Sequence, residues 1–289
     1  MKAYPEHIKK CFLYRKFHND IWKRKKNVGI IVTGGTGSGK SWFALNLAED
    51  LDPTFNVNRV VYNTDAFLKL LVEGDETGKL TPGKAIVFDE TSHDEAMDSR
   101  SSMSGQNKQM AALSTIYRAM RLIVIYVAPN LNQIDSRVRA ISITALFEMI
   151  SIDYDKKKSK AKVSWVVQNA RTGLVYHKRP KMISANRHIT IINSVSFAPP
   201  SKELRTSYEK KKMAFIKDKL KRWYEATKKD EAEASVKKSI LEITSEVINN
   251  KENFLVGDKY NLTLIAENYN IGRNKAQDIV NIVKNSTQH

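Results

Sequence analysis

The chain has almost no cysteine and no long apolar run. Cys11 is the only cysteine among 289 residues, so neither an intrachain disulfide nor a cysteine-rich metal site is available. The longest apolar run, Leu122 to Ala128, is far shorter than the roughly 20 residues of a membrane-spanning helix. The amino-terminal residues lack the apolar stretch of a signal peptide. The sequence therefore predicts a soluble, cytoplasmic protein without a membrane span.

Positive charge is abundant and unevenly distributed. The net charge is +17, and two short segments, 1–26 and 201–239, carry +7 and +6 of it. Residues 27–200 carry only +5, and residues 240–289 carry −1. Basic segments attract nucleic acids because neutralised phosphates release counterions. The charge therefore favours a nucleic acid as a partner, and the alternative is a solvated basic surface.

Apolar stretches alternate with amphipathic ones in the first half of the chain. Four apolar stretches predict buried strands at 28–32, 59–62, 85–88 and 122–127. Two intervening segments predict helices, 41–51 and a helix through Val72 capped by Asp65. This alternation is typical of a mostly parallel sheet with helices on both faces, an α/β fold. Three later strands, 145–152, 163–167 and 174–177, are expected to extend the sheet with antiparallel members.

A glycine-rich turn follows the first predicted strand. Residues 34–41, Gly-Gly-Thr-Gly-Ser-Gly-Lys-Ser, match the P-loop pattern G-x-x-x-x-G-K-[ST]. In this motif backbone N–H groups and the start of the next helix surround phosphates, Lys40 contacts the β- and γ-phosphates, and Ser41 ligates Mg²⁺. The sequence thus predicts a site for ATP and Mg²⁺. Its binding residues are Gly34, Gly35, Thr36, Gly37, Ser38, Gly39, Lys40, Ser41 and Trp42.

Two adjacent carboxylates follow the third predicted strand. Asp89 is expected at the carboxyl end of the strand, where parallel sheets bind ligands, and would hold the Mg²⁺ shell. Glu90 can polarise a water for attack on the γ-phosphate. Such a pair is often only a turn at a strand end. Because a P-loop lies about fifty residues upstream, we interpret it as catalytic.

Five further polar residues are weaker candidates. Asn130, after the fourth strand, could contact the attacking water or the γ-phosphate, or could be a turn residue after Pro129. Four arginines, Arg118, Arg121, Arg137 and Arg139, are expected near the same sheet edge. One of them, with Arg137 and Arg118 as first choices, could complete the site of a neighbouring subunit. For each, a surface or packing role is the alternative.

The region from Ile30 to about Leu146 resembles the HerA–FtsK group of P-loop ATPases, and within it the Zot-like ATPases of archaeal chromosomes, plasmids and viruses. The segments that carry the resemblance are 87–90, Ser99-Arg100, Asn107-Lys108, Tyr117-Arg118, 122–130, 134–137 and the later 208–212. The resemblance implies a RecA/FtsK-like fold and a ring, usually a hexamer, that moves duplex DNA. The group often has a glutamine before the proline at the end of the fourth strand. Here Val127 and Ala128 stand in that region, with Asn130 nearby.

Two surfaces are candidates for DNA contact. Lys108 and the lysines of a predicted turn over 155–162, namely Lys156, Lys157, Lys158 and Lys160, could bind phosphates or could simply be solvated. Near the carboxyl terminus, 262–284 has the cadence of a helix-turn-helix. Exposed residues at the start of its second helix could contact bases, or the segment could be a plain helical bundle. They are Arg273, Asn274, Lys275 and Gln277.

Four segments follow from these patterns: a basic amino-terminal arm or helix, 1–26; the P-loop ATPase domain, 27–200; a charged helical linker, 201–239; and an all-α helix-turn-helix unit, 240–289. The preferred hypothesis is an ATP-hydrolysing, oligomeric DNA motor or DNA-processing enzyme. The alternatives are an assembly or secretion ATPase, or nucleotide switch, acting on protein partners, and a kinase-type transferase. DNA-stimulated hydrolysis separates the first from the others.

Overall fold

The computed structural model describes residues 4–9, 11–89, 118–134, 139, 143–169, 171–183, 186–257 and 259–286. The chain divides into two compact units, Met1–Lys211 and Lys212–His289. No helix in the described part of the chain is long and apolar enough to cross a membrane.

The described residues of the first unit form a large sheet, a separate two-stranded sheet of β8 and β9, and several helices. The helices are α1 (Glu6–Lys9), α2 (Phe12–Trp22), α3 (Lys40–Leu51), α4 (Thr64–Glu76) and α5 (Lys202–Asn249). The first five strands are β1 (Val28–Thr33), β2 (Val60–Val61), β3 (Ala85–Phe88), β4 (Ile123–Ala128) and β5 (Ile143–Asp153). The next five are β6 (Lys158–Gln168), β7 (Val175–Lys178), β8 (Lys181–Ile183), β9 (Ile189–Ile191) and β10 (Ser194–Phe197).

The central sheet is mostly parallel, as the sequence predicted. Its strand order is β10-β6-β5-β1-β4-β3-β2, and β7 also pairs with β6. Strands β2, β3, β4, β1 and β5 pair in parallel, whereas β6 is antiparallel to β5, β7 and β10. Strands β6, β7 and β10 therefore extend the sheet with antiparallel pairs, as expected. The expectation was wrong for β5, which is parallel to β1.

Helices α3 and α4 cover opposite faces of this sheet. Phe43 of α3 packs against Phe147 of β5, with ring centroids 5.3 Å apart. The neighbouring residue Leu146 lies instead in a buried cluster with Phe67 and Leu71 of α4. Because successive side chains of a strand point to opposite faces, the two helices lie on opposite sides. This arrangement confirms the predicted α/β P-loop NTPase fold.

Helix α2 of the basic amino-terminal segment packs through one side against strands β6 and β10. Tyr14 is buried and stacks on Phe197 of β10, and the ring of Phe17 meets Trp165 of β6 edge-on. The lysines and arginine of 23–26 are exposed. The apolar positions of this segment thus belong to a core, and its charge faces solvent.

Two local predictions were wrong. The lysine-rich turn predicted over 155–162 covers only 154–157, and Lys158 and Lys160 lie in β6, where exposed lysines alternate with the buried Ala161. Their period of two is the strand pattern. Helix α4 is capped by Asn63, whose side chain accepts from Ala66 N, and not by Asp65.

The described part of the second unit is helical apart from a hairpin of two strands with two residues each. Helix α5 runs without a break from Lys202 to Asn249. It is followed by α6 (Lys251–Phe254), β11 (Leu255–Val256), β12 (Lys259–Tyr260), α7 (Leu262–Asn268) and α8 (Arg273–Ser286). Its core consists of Val247, Phe254, Ile265, Ala276, Ile279, Val280 and Val283.

A buried carboxylate joins the end of α3 to the start of β3. Asp52 pairs with Arg59, accepts from Ala85 N at 3.0 Å and from Thr54 Oγ1 at 2.8 Å, and lies 3.6 Å from Lys84 Nζ. Burial alone would raise the pKa of Asp52, but the hydrogen bonds from Ala85, Thr54 and Arg59 hold that pKa below its ordinary value. The charged form of Asp52 therefore stabilises the first unit.

We expect Asp52→Asn to lower the free energy of unfolding of the first unit by about 3 kcal/mol at pH 7, because it leaves buried cationic partners unpaired. A depressed folded-state pKa gives stability that is present above the unfolded pKa and lost as the pH falls through the folded one. The gap between wild type and variant should therefore narrow below about pH 4. Urea denaturation at several pH values measures it.

The exposed Asp75→Asn is the matched control. It should change stability by less than about 0.5 kcal/mol. A gap for Asp52→Asn that stays constant down to pH 3 would contradict the assignment.

Candidate nucleotide site

The P-loop connects β1 to α3 in the conformation that the sequence predicts. Gly34 N donates to the carbonyl of Pro129, which follows β4, at 3.2 Å. Gly37 and Gly39 have φ angles of 75° and 82°, a region that favours glycine, and Gly39 is the N-cap of α3. Lys40 Nζ donates to Gly35 O at 2.8 Å, so the lysine lies across the loop.

Strand β5 lies directly against this loop. A Cβ atom at Gly34 would lie 2.8 Å from Met149 Cβ, and one at Gly39 would lie 3.0 Å from Ile152 Cδ1. Both distances are shorter than ordinary carbon contacts of 3.5–4.0 Å. A side chain at either glycine would therefore press against β5, in addition to the strain of its positive φ. Strand β5 thus packs directly against the loop.

Asp89 is the centre of a buried polar cluster at the carboxyl end of β3. Asp89 is fully buried. One carboxylate oxygen, Oδ1, accepts from Ser41 Oγ at 3.1 Å. The other, Oδ2, accepts from the hydroxyl of Tyr208 in α5. Burial, with the nearby Asp89 charge, raises the pKa of Tyr208, so its hydroxyl stays protonated and donates.

This donor set suits Mg²⁺. A hydroxyl and a carboxylate are hard oxygen ligands, and two adjacent ligands of an octahedral ion at about 2.1 Å lie about 3 Å apart. Ser41 Oγ and Asp89 Oδ1 have that separation. Among the described residues no group of three His, Cys, Asp or Glu could hold a metal ion, so a cation here also needs water or phosphate ligands.

The first turns of α5 are attached to both sides of the cluster. Glu209 accepts from Trp42 Nε1 at 3.0 Å, and the Arg205 guanidinium lies 5.3 Å from the centre of the Trp42 ring. Lys211 Nζ donates to the carbonyls of Val57 and Val60, at 3.0 and 2.7 Å. Residues far apart in sequence thus hold α5 beside the start of α3 and beside β2.

A cavity of about 180 Å³ opens beside Gly39. Its walls are mainly apolar and include Trp42 and Tyr154, which are both exposed to solvent. The remaining lining residues are Ile152, Lys157, Lys158, Ser159, Pro199 and Arg205. The cavity therefore lies directly next to the phosphate loop and has two aromatic side chains in its wall.

The predicted residues fall into three groups by position. Lys40, Ser41 and Asp89 meet at one edge of the sheet, and Asn130 is exposed on the same edge, after β4. Glu90, Lys108 and Arg137 lie outside the described residues. Arg139 is half-buried, and its Nε has no hydrogen-bond partner in the described part of the chain.

Arg118 and Arg121 do not lie at this edge, so the predicted location was wrong. Both precede β4, and Arg121 O accepts from Gly83 N, just before β3. In parallel strands all amino ends lie at one edge and all carboxyl ends at the other. The two arginines are therefore at the edge opposite the P-loop.

Lys157 and Lys158, which the sequence offered as candidates for DNA contact, lie beside the predicted nucleotide site. They line the cavity beside Gly39. The β5–β6 hairpin brings them there, because β5 packs on the loop. Lys156 and Lys160 are exposed and do not line this cavity.

Sequence reasoning missed Tyr208, although the segment 208–212 belonged to the resemblance. Its hydroxyl meets Asp89 across 119 residues of sequence. The available signal was a tyrosine at a helical position among lysines, which indicates packing but not the carboxylate that it contacts.

Neither a protein-family model nor a curated protein sequence matches the chain. Among solved structures, the chain is similar to the amino-terminal domain of zonular occludens toxin from Neisseria meningitidis, with 13% identity and a TM-score of 0.35, over 53% of this chain and 93% of that one. It is also similar to the genome packaging NTPase B204 of Sulfolobus turreted icosahedral virus 2 with ATP-gammaS, at 9% identity and a TM-score of 0.33, over 53% and 97%.

A third similar structure is the KaiC-like protein PH0186 of Pyrococcus horikoshii OT3, at 13% identity and a TM-score of 0.30, over 57% of this chain and 90% of that one. The likeness is one of fold, and the site is argued from its own residues.

We expect Gly39→Ala to weaken ATP binding about tenfold or more. The left-handed backbone costs an alanine roughly 1–2 kcal/mol, and the new Cβ also meets Ile152. Titration with a fluorescent ATP analogue measures the affinity.

Gly78→Ala is the matched control, since Gly78 also has a positive φ of 63° but nothing within 4 Å of its Cβ position. It should lose stability without losing affinity. Equal affinity in Gly39→Ala and wild type would show that the loop does not bind phosphate in this conformation.

Proposed function

We propose that this protein hydrolyses ATP with Mg²⁺ at the P-loop and uses the energy to act on DNA. One observation carries the nucleotide part: Ser41 of the P-loop and the buried Asp89 of β3 face each other at 3.1 Å, beside Lys40. A phosphate loop, a lysine and a hydroxyl–carboxylate pair in one place form the set of groups that phosphoryl transfer requires.

The residues divide the work between binding and chemistry. The backbone N–H groups of 34–39 and the start of α3 bind the phosphates, and Lys40 leaves Gly35 O to contact the β- and γ-phosphates. Ser41 and Asp89 hold the cation shell, and Glu90 orients the attacking water. Bound Mg²⁺ supplies charge stabilisation of the phosphates. Asn130 is the candidate for sensing the γ-phosphate.

The base is proposed to occupy the cavity beside Gly39. A nucleotide with its phosphates in the loop extends along the loop, and this cavity is the adjoining apolar space. The ring of Tyr154 and the Trp42 indole offer faces for stacking. Lys157, Lys158 and Arg205 add positive charge, which favours a polyanionic ligand.

DNA as the polymer substrate is supported by charge and by one helix. The net charge is +17, and the basic residues 23–26 are exposed. In the second unit, Ala276, Ile279 and Val280 of α8 are buried. Its opposite side exposes Arg273, Asn274, Lys275 and Gln277. A helix with this division is suited to contacting DNA.

A ring, proposed as a hexamer, completes the hypothesis. Arg118 and Arg121 lie at the edge of the sheet opposite the Asp89 cluster. An arginine from a neighbouring subunit could supply positive charge at the γ-phosphate, as arginine fingers do. Arg137 keeps its place as first candidate, and Arg118 is a candidate only for acting on a neighbour.

We expect Lys40→Ala to abolish hydrolysis and weaken ATP binding, because the phosphate contact is lost. Glu90→Gln should retain binding but lose at least about a hundredfold in turnover, because the general base is removed. Phosphate release and nucleotide titration measure the two effects. Lys69→Ala, an exposed lysine of α4, is the control. Wild-type turnover in Glu90→Gln would mean that another group is the base.

We expect duplex DNA to raise ATP turnover and its binding to weaken with salt, with a slope near −0.9 per phosphate contact. Arg273→Ala/Lys275→Ala should reduce that slope by about two. Lys251→Ala/Lys259→Ala removes the same charge from exposed positions of the same unit and should change it less. The measurement is turnover and binding between low salt and about 0.1 M.

The same samples also test ring formation, because the mass of the protein assembly should rise when ATP and DNA are added. If DNA neither binds below about 0.1 M salt nor changes turnover, the DNA hypothesis fails and action on a protein partner replaces it. A strictly monomeric protein with full activity would contradict the ring.

A further inference from the structure

The hydroxyl of Tyr208 occupies one side of the carboxylate on which the proposed Mg²⁺ shell depends. Asp89 Oδ2 accepts from Tyr208 Oη, and Oδ1 faces Ser41 Oγ at 3.1 Å. Tyr208 is 1% exposed and Asp89 is fully buried, so the contact is made away from bulk water. The tyrosine therefore determines which oxygen of Asp89 is presented to Ser41.

The orientation of this carboxylate matters for the choice of ion. Mg²⁺ demands near-ideal octahedral geometry and dehydrates reluctantly, so a ligand that rotates lowers its affinity. Groups that hydrogen-bond to ligands orient them, and their removal costs about 10–100-fold in metal affinity. A buried hydroxyl on Oδ2 supplies that orientation for Asp89.

Tyr208 is itself fixed by its neighbours in α5. Lys211, one turn later, donates to the carbonyls of Val57 and Val60, beside the start of β2. Glu209 accepts from the Trp42 indole. At the start of the helix, Ser201 N donates to Glu49 Oε2 of α3 at 2.9 Å. Contacts of three residues near Tyr208 thus fix this part of α5 independently of Asp89.

We propose that Tyr208 is a positioning residue for the Mg²⁺ site: it fixes the Asp89 carboxylate so that Oδ1 and Ser41 Oγ together receive the cation of Mg²⁺–ATP. This inference rests on the proposed nucleotide function. In this role Tyr208 acts through Asp89 and through the adjacent Ser41, to which its hydroxyl is also hydrogen-bonded.

The test is Tyr208→Phe, which removes one oxygen and keeps the ring. Affinity for a non-hydrolysable ATP analogue is measured by calorimetry across a series of Mg²⁺ concentrations and in EDTA. The variant should need about tenfold more Mg²⁺ for half-maximal tight binding, with its affinity in EDTA unchanged. Turnover at saturating Mg²⁺ should recover most of the wild-type rate.

Tyr14→Phe is the matched control. Tyr14 is equally buried and its hydroxyl also donates to an aspartate, Asp50 Oδ2, at 3.0 Å. It lies in α2, away from the Asp89 cluster, so its loss should reduce stability without changing the Mg²⁺ requirement. A shift in both variants would indicate general loosening and overturn the proposal.

A second variant tests the same idea without touching the tyrosine. Lys211→Gln loosens the part of α5 that carries Tyr208 and should move the Mg²⁺ requirement in the same direction by a smaller factor. Lys210→Gln, at an exposed neighbouring position, should leave it unchanged. Wild-type Mg²⁺ dependence in both Tyr208→Phe and Lys211→Gln overturns the proposal. If wild type itself binds no nucleotide, or binds it equally well without Mg²⁺, the proposed function fails, and wild type alone shows it.

Discussion

The burial of one negative charge organises the nucleotide site. Asp89 is fully enclosed at the end of β3, and a carboxylate in such a place is stable only when hydrogen-bond donors satisfy it. The donors come from two distant parts of the chain, the P-loop through Ser41 and α5 through Tyr208. Satisfying this charge therefore brings together the loop, the strand end and the helix that the proposed chemistry needs.

The same principle operates at the other end of α3. Asp52 is buried among Arg59, Lys84 and the amide of Ala85, and so fixes the start of β3 relative to α3. Strand β3 thus has a buried carboxylate at each end, Asp52 beside Ala85 and Asp89 after Phe88. The register of this four-residue strand follows from its parallel pairing with β2 and β4.

The elements near the P-loop could be predicted because their physics is local. Apolar runs gave β1, β3 and β4, and the glycine spacing gave the loop and its position before α3. The tertiary placement of Lys157, Lys158, Arg118 and Tyr208 could not be predicted in this way. Each depends on pairing or crossing between segments far apart in sequence, and distance along the chain is a poor guide to distance in space. Glu90, Lys108 and Arg137, which lie outside the described residues, stay predictions.

The dispersed origin of the site has a consequence for the order of folding during synthesis. Its contacts span 48 residues from Ser41 to Asp89, 119 from Asp89 to Tyr208 and 167 from Trp42 to Glu209. At about 5–20 residues per second, a ribosome needs roughly ten to thirty seconds to pass from Gly34 to Tyr208. The completed pocket therefore cannot exist on a nascent chain that has not yet reached α5. A nucleotide at the complete proposed site would therefore stabilise the protein by mass action only after most of the first unit has been made.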